Sequence, residues 1–427
     1  MKEPSDSVVV VVDKGLFLPC ALKLAEQCKH VYWCNPAEQA FPTLKQGVIG
    51  DGFENLEMVE DLWDVKDMVD VFVFPDIGYS GLQMELASQG FPVFGSRRAD
   101  ELETNRGKFL KTIEYLEMPC PKYVKKQGIT ALKEFLLDKS DKYIKVSKWR
   151  GDCETWHYRD WEHDESTLDF LAFKLGPARE LLTFYVIDPI DTDIEDGVDT
   201  ICIDGKLPKT CLHGMEAKDK AFLGTMVPFD SIAENIRKVS EQFAPVLGQY
   251  GYRNFFSTEI RVSGNDSYFI DPTCRAGSPP HQMQTELIAN YAEVICGGAN
   301  GELVDPEPSA EFGAQILIKS KTDKQMWSEV HIHKELKQWI KCSNACEIEG
   351  KLCRPPDDDC DMGWLVAVGD TIEDVINKLK EYSSQLPDGL SADPTSLADL
   401  LMEAHTADKQ GMPLTDKEVP EPSTVIE

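Results

Sequence analysis

The chain has 427 residues, 42% of them hydrophobic, and a formal net charge of −30, which is enough for two or three domains with packed cores and excludes a disordered chain. So acidic a balance argues against extensive nucleic-acid backbone binding, which needs Lys and Arg in excess, so any nucleotide must be held locally. There is no apolar run of about 18 residues and no basic segment leading into a long apolar one, so neither a membrane partner nor a secretory signal is expected; the 13 cysteines lack regular pairing and read as thiols of a reducing compartment, the cytoplasm.

The first strand expected is Val8 to Asp13, followed by the turn Asp13-Lys14-Gly15 and helical spacing from Pro19 to Cys28. Val31 to Trp33, Val71 to Phe74 and Val93-Phe94 are further strands. Strands alternating with helices imply a parallel, doubly wound sheet with ligands at the carboxyl ends of its strands, which makes Asp13-Lys14-Gly15 and Pro75-Asp76-Ile77-Gly78 ligand-facing turns. No GxGxxG fingerprint follows the first strand. One helix is expected from about Asp100 to Glu117, ended by Pro119 and Pro121.

Lys122 to Val124, Tyr143 to Val146, Thr183 to Ile190 and Thr200 to Ile203 read as strands of a new unit, and Ile232 to Gln249 as a helix. Lys145 stands at a strand end beside a basic turn containing Lys148, Arg150 and Gly151, a pattern that suits either phosphate oxygens or a basic loop on an acidic protein. Ala314 to Lys319, Trp364 to Val368 and the helix Thr371 to Leu386 make a small C-terminal unit. Beyond Pro387 a marginal helix near Leu397 to Ala404 and then a loose acidic tail are expected. The expected domains are 1–118, 119–305 and 306–390, with a tail over 391–427.

Chemistry concentrates between Phe255 and Arg275, FFSTEIRVSGNDSYFIDPTCR. The turn residues Ser263-Gly264-Asn265-Asp266 divide two β-prone segments, so this is a hairpin. Alternation points Asp271, Thr273 and Arg275 one way, and pairing brings Glu259 beside Asp271. The result is either a Mg²⁺ and phosphate site or an exposed hairpin with a surface salt bridge. Elsewhere, Cys342, Cys346, Cys353 and Cys360 match no zinc spacing. His331 and His333 alternate along a strand as surface residues, and Cys153 with His157 has i, i+4 spacing without an oxyanion site.

Five features in order, namely a Rossmann-like unit, Asn105-Arg106-Gly107-Lys108-Phe109, the strand-end Lys145, the acids near Glu195 and the Glu259/Asp271-x-Thr273-x-Arg275 hairpin, resemble the ATP-grasp superfamily. The architecture is most similar to that of phosphoribosylamine-glycine ligase, over about residues 8 to 386. The resemblance implies an α/β (α+β) fold class: a Rossmann-like pre-ATP-grasp domain, an ATP-grasp domain of two α+β subdomains and a small C-terminal α+β domain. It further implies ATP and Mg²⁺, or Mn²⁺ in its place, as cofactors. Arg106, Lys145 and Lys148 would bind phosphates, Val186 and Ile187 would face adenine with their main chain, and Glu195 would accept from ribose. Glu259, Asp271 and Thr273 would hold metal, while Arg275 and Lys148 would be catalytic.

Four departures mark the chain. Thr273 stands where Asn is usual, the closing loop is reduced to Lys148-Trp149-Arg150-Gly151-Asp152-Cys153-Glu154-Thr155, and the glycine-rich loop serving phosphoribosylamine is reduced to Lys14-Gly15-Leu16-Phe17. The acidic continuation of the hairpin is replaced by Ala276-Gly277-Ser278-Pro279-Pro280-His281. The reading is an ATP-dependent ligase joining a small-molecule carboxylate and an amine through an acyl phosphate. Its alternatives are authentic phosphoribosylamine-glycine ligase and a non-catalytic ATP-binding scaffold. The sequence specifies no oligomeric state.

Overall fold

The computed structural model describes residues 2–36, 43–147, 155–192, 194–357 and 360–426, which form two compact units. The first comprises 1–98, 196–258 and 273–427, and the second 99–195 and 259–272.

The first unit begins as the alternating pattern requires. Its parallel sheet has the order Leu56–Val59, His30–Cys34, Val8–Val12, Val71–Val73, Val93–Phe94. Five consecutive valines, stiff at χ1 and suited to a pleat, make the central strand, and four of them are fully buried. Leu56–Val59 at the edge was not expected, because Glu57 interrupts an apolar run of only four residues.

An antiparallel sheet follows. Arg253–Ser263 lies beside Glu195–Ile203, then come Thr210–Ala217, Ala221–Pro228, Phe312–Ser320, Asp361–Gly369 and Ile340–Cys342, with Leu390–Ala392 also on Phe312–Ser320. These two sheets contribute to one continuous core that includes Val9, Phe94, Leu212, Tyr291, Ile316 and Leu365, and a separate three-stranded sheet, ordered Ser328–Val330, Lys351–Arg354, Cys346–Ile348, also belongs to this unit. His331 and His333 do not share a strand: Ser328–Val330 ends before them, and His333 is the residue preceding the helix Lys334–Lys337. The tail differs from the loose segment expected of its composition. Leu397–Lys409 is a helix whose Leu397, Leu400, Leu401 and Ala404 are fully buried, and Leu414 and Val425 are also buried. Its i, i+3, i+4, i+7 stripe supplies enough apolar contact to hold it.

Gly363 sits where the ladder between Phe312–Ser320 and Asp361–Gly369 slips by one residue. Its φ is +140°, and a Cβ there would lie 2.1 Å from the main-chain oxygen of Lys341, so the neighbouring backbone cannot yield cheaply. Gly363→Ala should lower stability by about 3 kcal/mol. Urea unfolding checks this, and a change under about 0.5 kcal/mol would remove the assigned strain.

The second unit has an antiparallel sheet ordered Tyr123–Gln127, Thr183–Ile187, Lys142–Val146, Thr155–Tyr158. Its core joins Ile129, Leu132 and Leu136 of one helix to Leu168, Leu171 and Leu175 of Trp161–Leu175. His157 lies on the strand Thr155–Tyr158, not on a helix, and Cys153 falls outside the described residues. The single helix expected over 100–117 is two, Asp100–Thr104 and Arg106–Tyr115. Asn105 divides them at φ −116°, ψ 89°, and its side chain accepts from the Lys108 amide; Asn competes in this way with an uninterrupted helix. No described helix is long and apolar enough to cross a membrane.

Candidate nucleotide and metal site

The hairpin forms as the alternation requires, from Arg253–Ser263 and Asp266–Thr273, with Gly264 at the tip in the left-handed region. Ile260, Val262 and Phe269 are buried, whereas Glu259, Arg261 and Asp271 are half-buried. Phe269 meets Phe109 edge to face with ring centroids 5.1 Å apart, which braces the helix Arg106–Tyr115 against the hairpin.

That brace delivers Arg106 to the acid. Its guanidinium donates to the Ile270 carbonyl at 2.7 Å and to Asp271 Oδ2, and Lys145 Nζ reaches the same Oδ2 at 2.9 Å. Arg106 is 8% exposed and Lys145 9%, so neither cation is satisfied by bulk water and the shared carboxylate is their counterion. Burial works against the charge of Asp271, but Arg106 and then Lys145 outweigh it and hold the carboxyl well below the usual range. Glu259 moves the other way: burial, the charge of Asp271 and that of Glu195 push it up to about 7. Two carboxylates made costly by burial and mutual repulsion therefore stand beside two desolvated cations.

These residues fit a magnesium nucleotide. Mg²⁺ takes hard oxygen ligands, usually one or two protein carboxylates with phosphates and waters completing the shell, and Arg106 and Lys145 suit phosphate oxygens. Among the described residues no group of three His, Cys, Asp or Glu side chains is placed to hold a metal unaided.

The structure thus brings Arg106, Lys145, Glu259 and Asp271 together. Glu195 opens the strand Glu195–Ile203 and pairs with Arg261 at 2.8 Å. Arg261 was missed by sequence reasoning, although its i+2 relation to Glu259 places it on the same strand face. Val186 and Ile187 end the central strand of the four-stranded sheet, flanked on both sides, and the Asp188 amide donates to Lys122 O at 2.8 Å. Their main chain is therefore occupied by neighbouring strands and not open to an adenine edge. Thr273 is the last residue of its strand. Arg275 lies past that strand and pairs with Asp76 at 3.6 Å. Lys148 lies outside the described residues.

In the first unit, the turn after Val8–Val12 has its own chemistry. Asp13 Oδ2 accepts from the amides of Gly15 at 2.7 Å and Phe17 at 3.0 Å. Burial first, then the charge of Asp76, raises Asp13 to about 6.

No family model and no curated protein matches the chain in sequence. Solved structures do match in fold. Phosphoribosylamine-glycine ligase from Thermotoga maritima superposes with a TM-score of 0.69 at 16% identity, over 90% of this chain and 98% of that one. A biotin carboxylase–ATP complex from Campylobacter jejuni gives 0.64 at 13% identity, over 96% and 97%. An L-amino acid ligase from Bacillus licheniformis gives 0.57 at 12% identity, over 92% and 99%. The chain has a divergent ATP-grasp fold. Within that class its arrangement of a parallel-sheet N-terminal region and antiparallel sheets is like that of phosphoribosylamine-glycine ligase.

Proposed function

We propose that this chain is an ATP-dependent carboxylate-amine ligase, which phosphorylates a small carboxylate, lets an amine attack the acyl phosphate, and releases ADP and phosphate as the amide forms. The observation that carries this reading is the convergence of Arg106 and Lys145 on Asp271 beside Glu259. Phosphoryl transfer asks little covalent chemistry of a protein and depends on positioning and charge neutralisation. When bound, Mg²⁺ supplies charge neutralisation across the phosphates. Arg106 and Lys145 would exchange Asp271 for phosphate oxygens, leaving the Glu259 and Asp271 carboxylates for the metal. Glu195 would accept from ribose in competition with Arg261, and the main chain beyond Ile187 would receive adenine. The resemblance assigns Lys148 to phosphate closure, Thr273 to metal and Arg275 to the acyl phosphate, and these roles are part of the proposal, as are the domain limits at 118, 305 and 390. The described cysteines are free thiols, which supports a reducing, cytoplasmic setting.

The Asp13 turn favours a divergent substrate over authentic phosphoribosylamine-glycine ligase. Free main-chain amides at a strand end or helix start are what a phosphate seeks, and here those of Gly15 and Phe17 already bond to an internal carboxylate. The test is Mg²⁺-dependent ADP release by the purified chain across carboxylates and amines offered singly and in pairs. Release that requires one particular pair is the expected result. ATP binding without release above the Asp271→Asn background would replace the ligase with a nucleotide-binding scaffold.

A further inference from the structure

Cys346 and Cys353, which match no metal spacing, stand directly opposite each other in the three-stranded sheet of the first unit. The turn between their strands is Glu349-Gly350, with φ of +52° and +75°, and so tight a turn fixes this register. Opposed residues on antiparallel strands are about 4.5–5.5 Å apart at Cα, inside the range of about 4.4–6.8 Å that a disulfide spans. Their side chains share one face of the sheet. Cys346 Sγ already reaches across the ladder and donates to the main-chain oxygen of Cys353 at 3.6 Å. Both are free thiols, 0% and 3% exposed.

The segment bearing Cys346 is clamped to the parallel-sheet region. Ser343 Oγ donates to Leu16 O at 3.1 Å and the Asn344 amide to Gly15 O at 2.9 Å. The Gly50 amide donates to Ala345 O at 2.9 Å, and the Glu347 amide to Asp51 O at 2.8 Å. Two glycines make room for it: a Cβ on Gly15 would lie 2.2 Å from Asn344 Oδ1, and one on Gly52 would lie 1.9 Å from the main-chain oxygen of Glu347. Residues 343–347 therefore hold two turns at once, the one at 50–52 and Asp13-Lys14-Gly15 at the end of the first strand.

Yet Cys346–Ile348 is an edge strand of three residues, and Ile348 is 46% exposed. Such an element opens locally at small cost. Burial, and then the neighbouring Cys353, push the Cys346 thiol up to about 11. The closed hairpin thus keeps it protonated and inert, and the reactive thiolate forms when the edge strand opens.

We propose that Cys346 and Cys353 form a reversible disulfide that locks residues 343–347 onto the turns at Gly15 and at Gly50-Asp51. With hydrogen peroxide as oxidant, one thiolate attacks a peroxide oxygen, breaks the O–O bond, releases hydroxide and becomes a sulfenic acid. The second thiolate attacks that sulfur and displaces the other hydroxide, and both hydroxides leave as water with the two thiol protons. A dithiol reductant reverses the bond by exchange through a mixed disulfide. The inference does not depend on the ligase reading.

The test treats the native full-length protein with hydrogen peroxide, alkylates the remaining thiols and maps the tryptic peptides. Cleavage after Lys351 separates the two residues, so the bond joins two peptides, which also carry Cys342 and Cys360. The link should persist when Cys342→Ala and Cys360→Ala are combined, and should be absent from Cys346→Ala and from wild type treated with dithiothreitol. Deuterium exchange at the amides of Asn344, Glu347 and Gly50 should be at least about tenfold slower in oxidised than in reduced wild type, because the cross-link opposes opening of the edge strand. A native protein that forms no such link, or forms it only after unfolding in urea, overturns the proposal. A link that leaves those amides exchanging at the reduced rate overturns it equally. If a variant does not fold, the comparison of oxidised with reduced wild type decides alone.

Discussion

Asp271→Asn should reduce Mg²⁺-dependent ATP turnover by about 10² to 10³, the loss typical of removing one preorganised electrostatic group from a reacting site. The substitution keeps the size of the side chain but removes the charge on which Arg106 and Lys145 converge. In the nucleotide-free protein this leaves two buried cations without their counterion. For a fully buried ion pair such a loss costs about 3–5 kcal/mol, and the 26% exposure of Asp271 reduces the expected cost to about 2 kcal/mol. The variant should therefore fold, with a lower unfolding midpoint. Nucleotide affinity should respond differently from turnover. Phosphate oxygens can replace the missing carboxylate as partners of Arg106 and Lys145, so ATP without metal should bind the variant as tightly as it binds wild type or more so. Mg²⁺ should no longer improve that affinity. Calorimetric titration of ATP with and without Mg²⁺, alongside ADP release, separates the outcomes. Near-normal turnover, or an undiminished Mg²⁺ effect on binding, would reject the assignment of Asp271 to metal.

The parts of this site legible in the sequence were those set by local geometry. Turn residues at 263–266 and a period of two were enough to predict the hairpin that carries Glu259 and Asp271 on its two strands. By contrast, no spacing rule connects Arg106 or Lys145 to an acid 165 and 126 residues away; only the resemblance suggested their convergence. The strands Thr210–Ala217 and Ala221–Pro228 went unread because Gly214 and Gly224 dilute their β propensity, yet those glycines admit close packing against Phe222 and Leu212. The tail helix was visible in its leucine spacing, but whether so acidic a segment would dock depended on the partner surface, which is a tertiary property.

Lowering pH from 7 to 4 should remove about 3 kcal/mol of stability through His281 alone. This residue is fully buried, with Phe17, Phe255 and Tyr291 against its ring. Nε2 lies 2.8 Å from the Tyr291 hydroxyl and Nδ1 lies 3.2 Å from Gln284 Oε1. A neutral ring that donates from Nδ1 and accepts at Nε2 satisfies both contacts, whereas a second proton would confront the hydroxyl in an apolar enclosure. Burial accordingly pushes His281 down from its ordinary 6.5 to about 4. Above pH 6.5 the ring is neutral in both folded and unfolded chains and contributes no slope. Between those two values the unfolded chain takes up a proton that the folded chain excludes, so stability falls as pH falls, by about 1.4 kcal/mol per unit. Asp13 and Asp199 act in the opposite sense. Burial raises them to about 6 and about 7, so each favours the folded state at low pH and loses that contribution as pH rises. The wild-type curve mixes these slopes, and the comparison that isolates His281 is with His281→Gln, which is neutral throughout. Gln forfeits the ring contacts and starts from lower stability. The stability advantage of wild type over this variant, from urea unfolding at each pH, should shrink by about 3 kcal/mol from pH 7 to pH 4; an advantage that stays constant would show that His281 takes up its proton as readily in the folded chain as in the unfolded one.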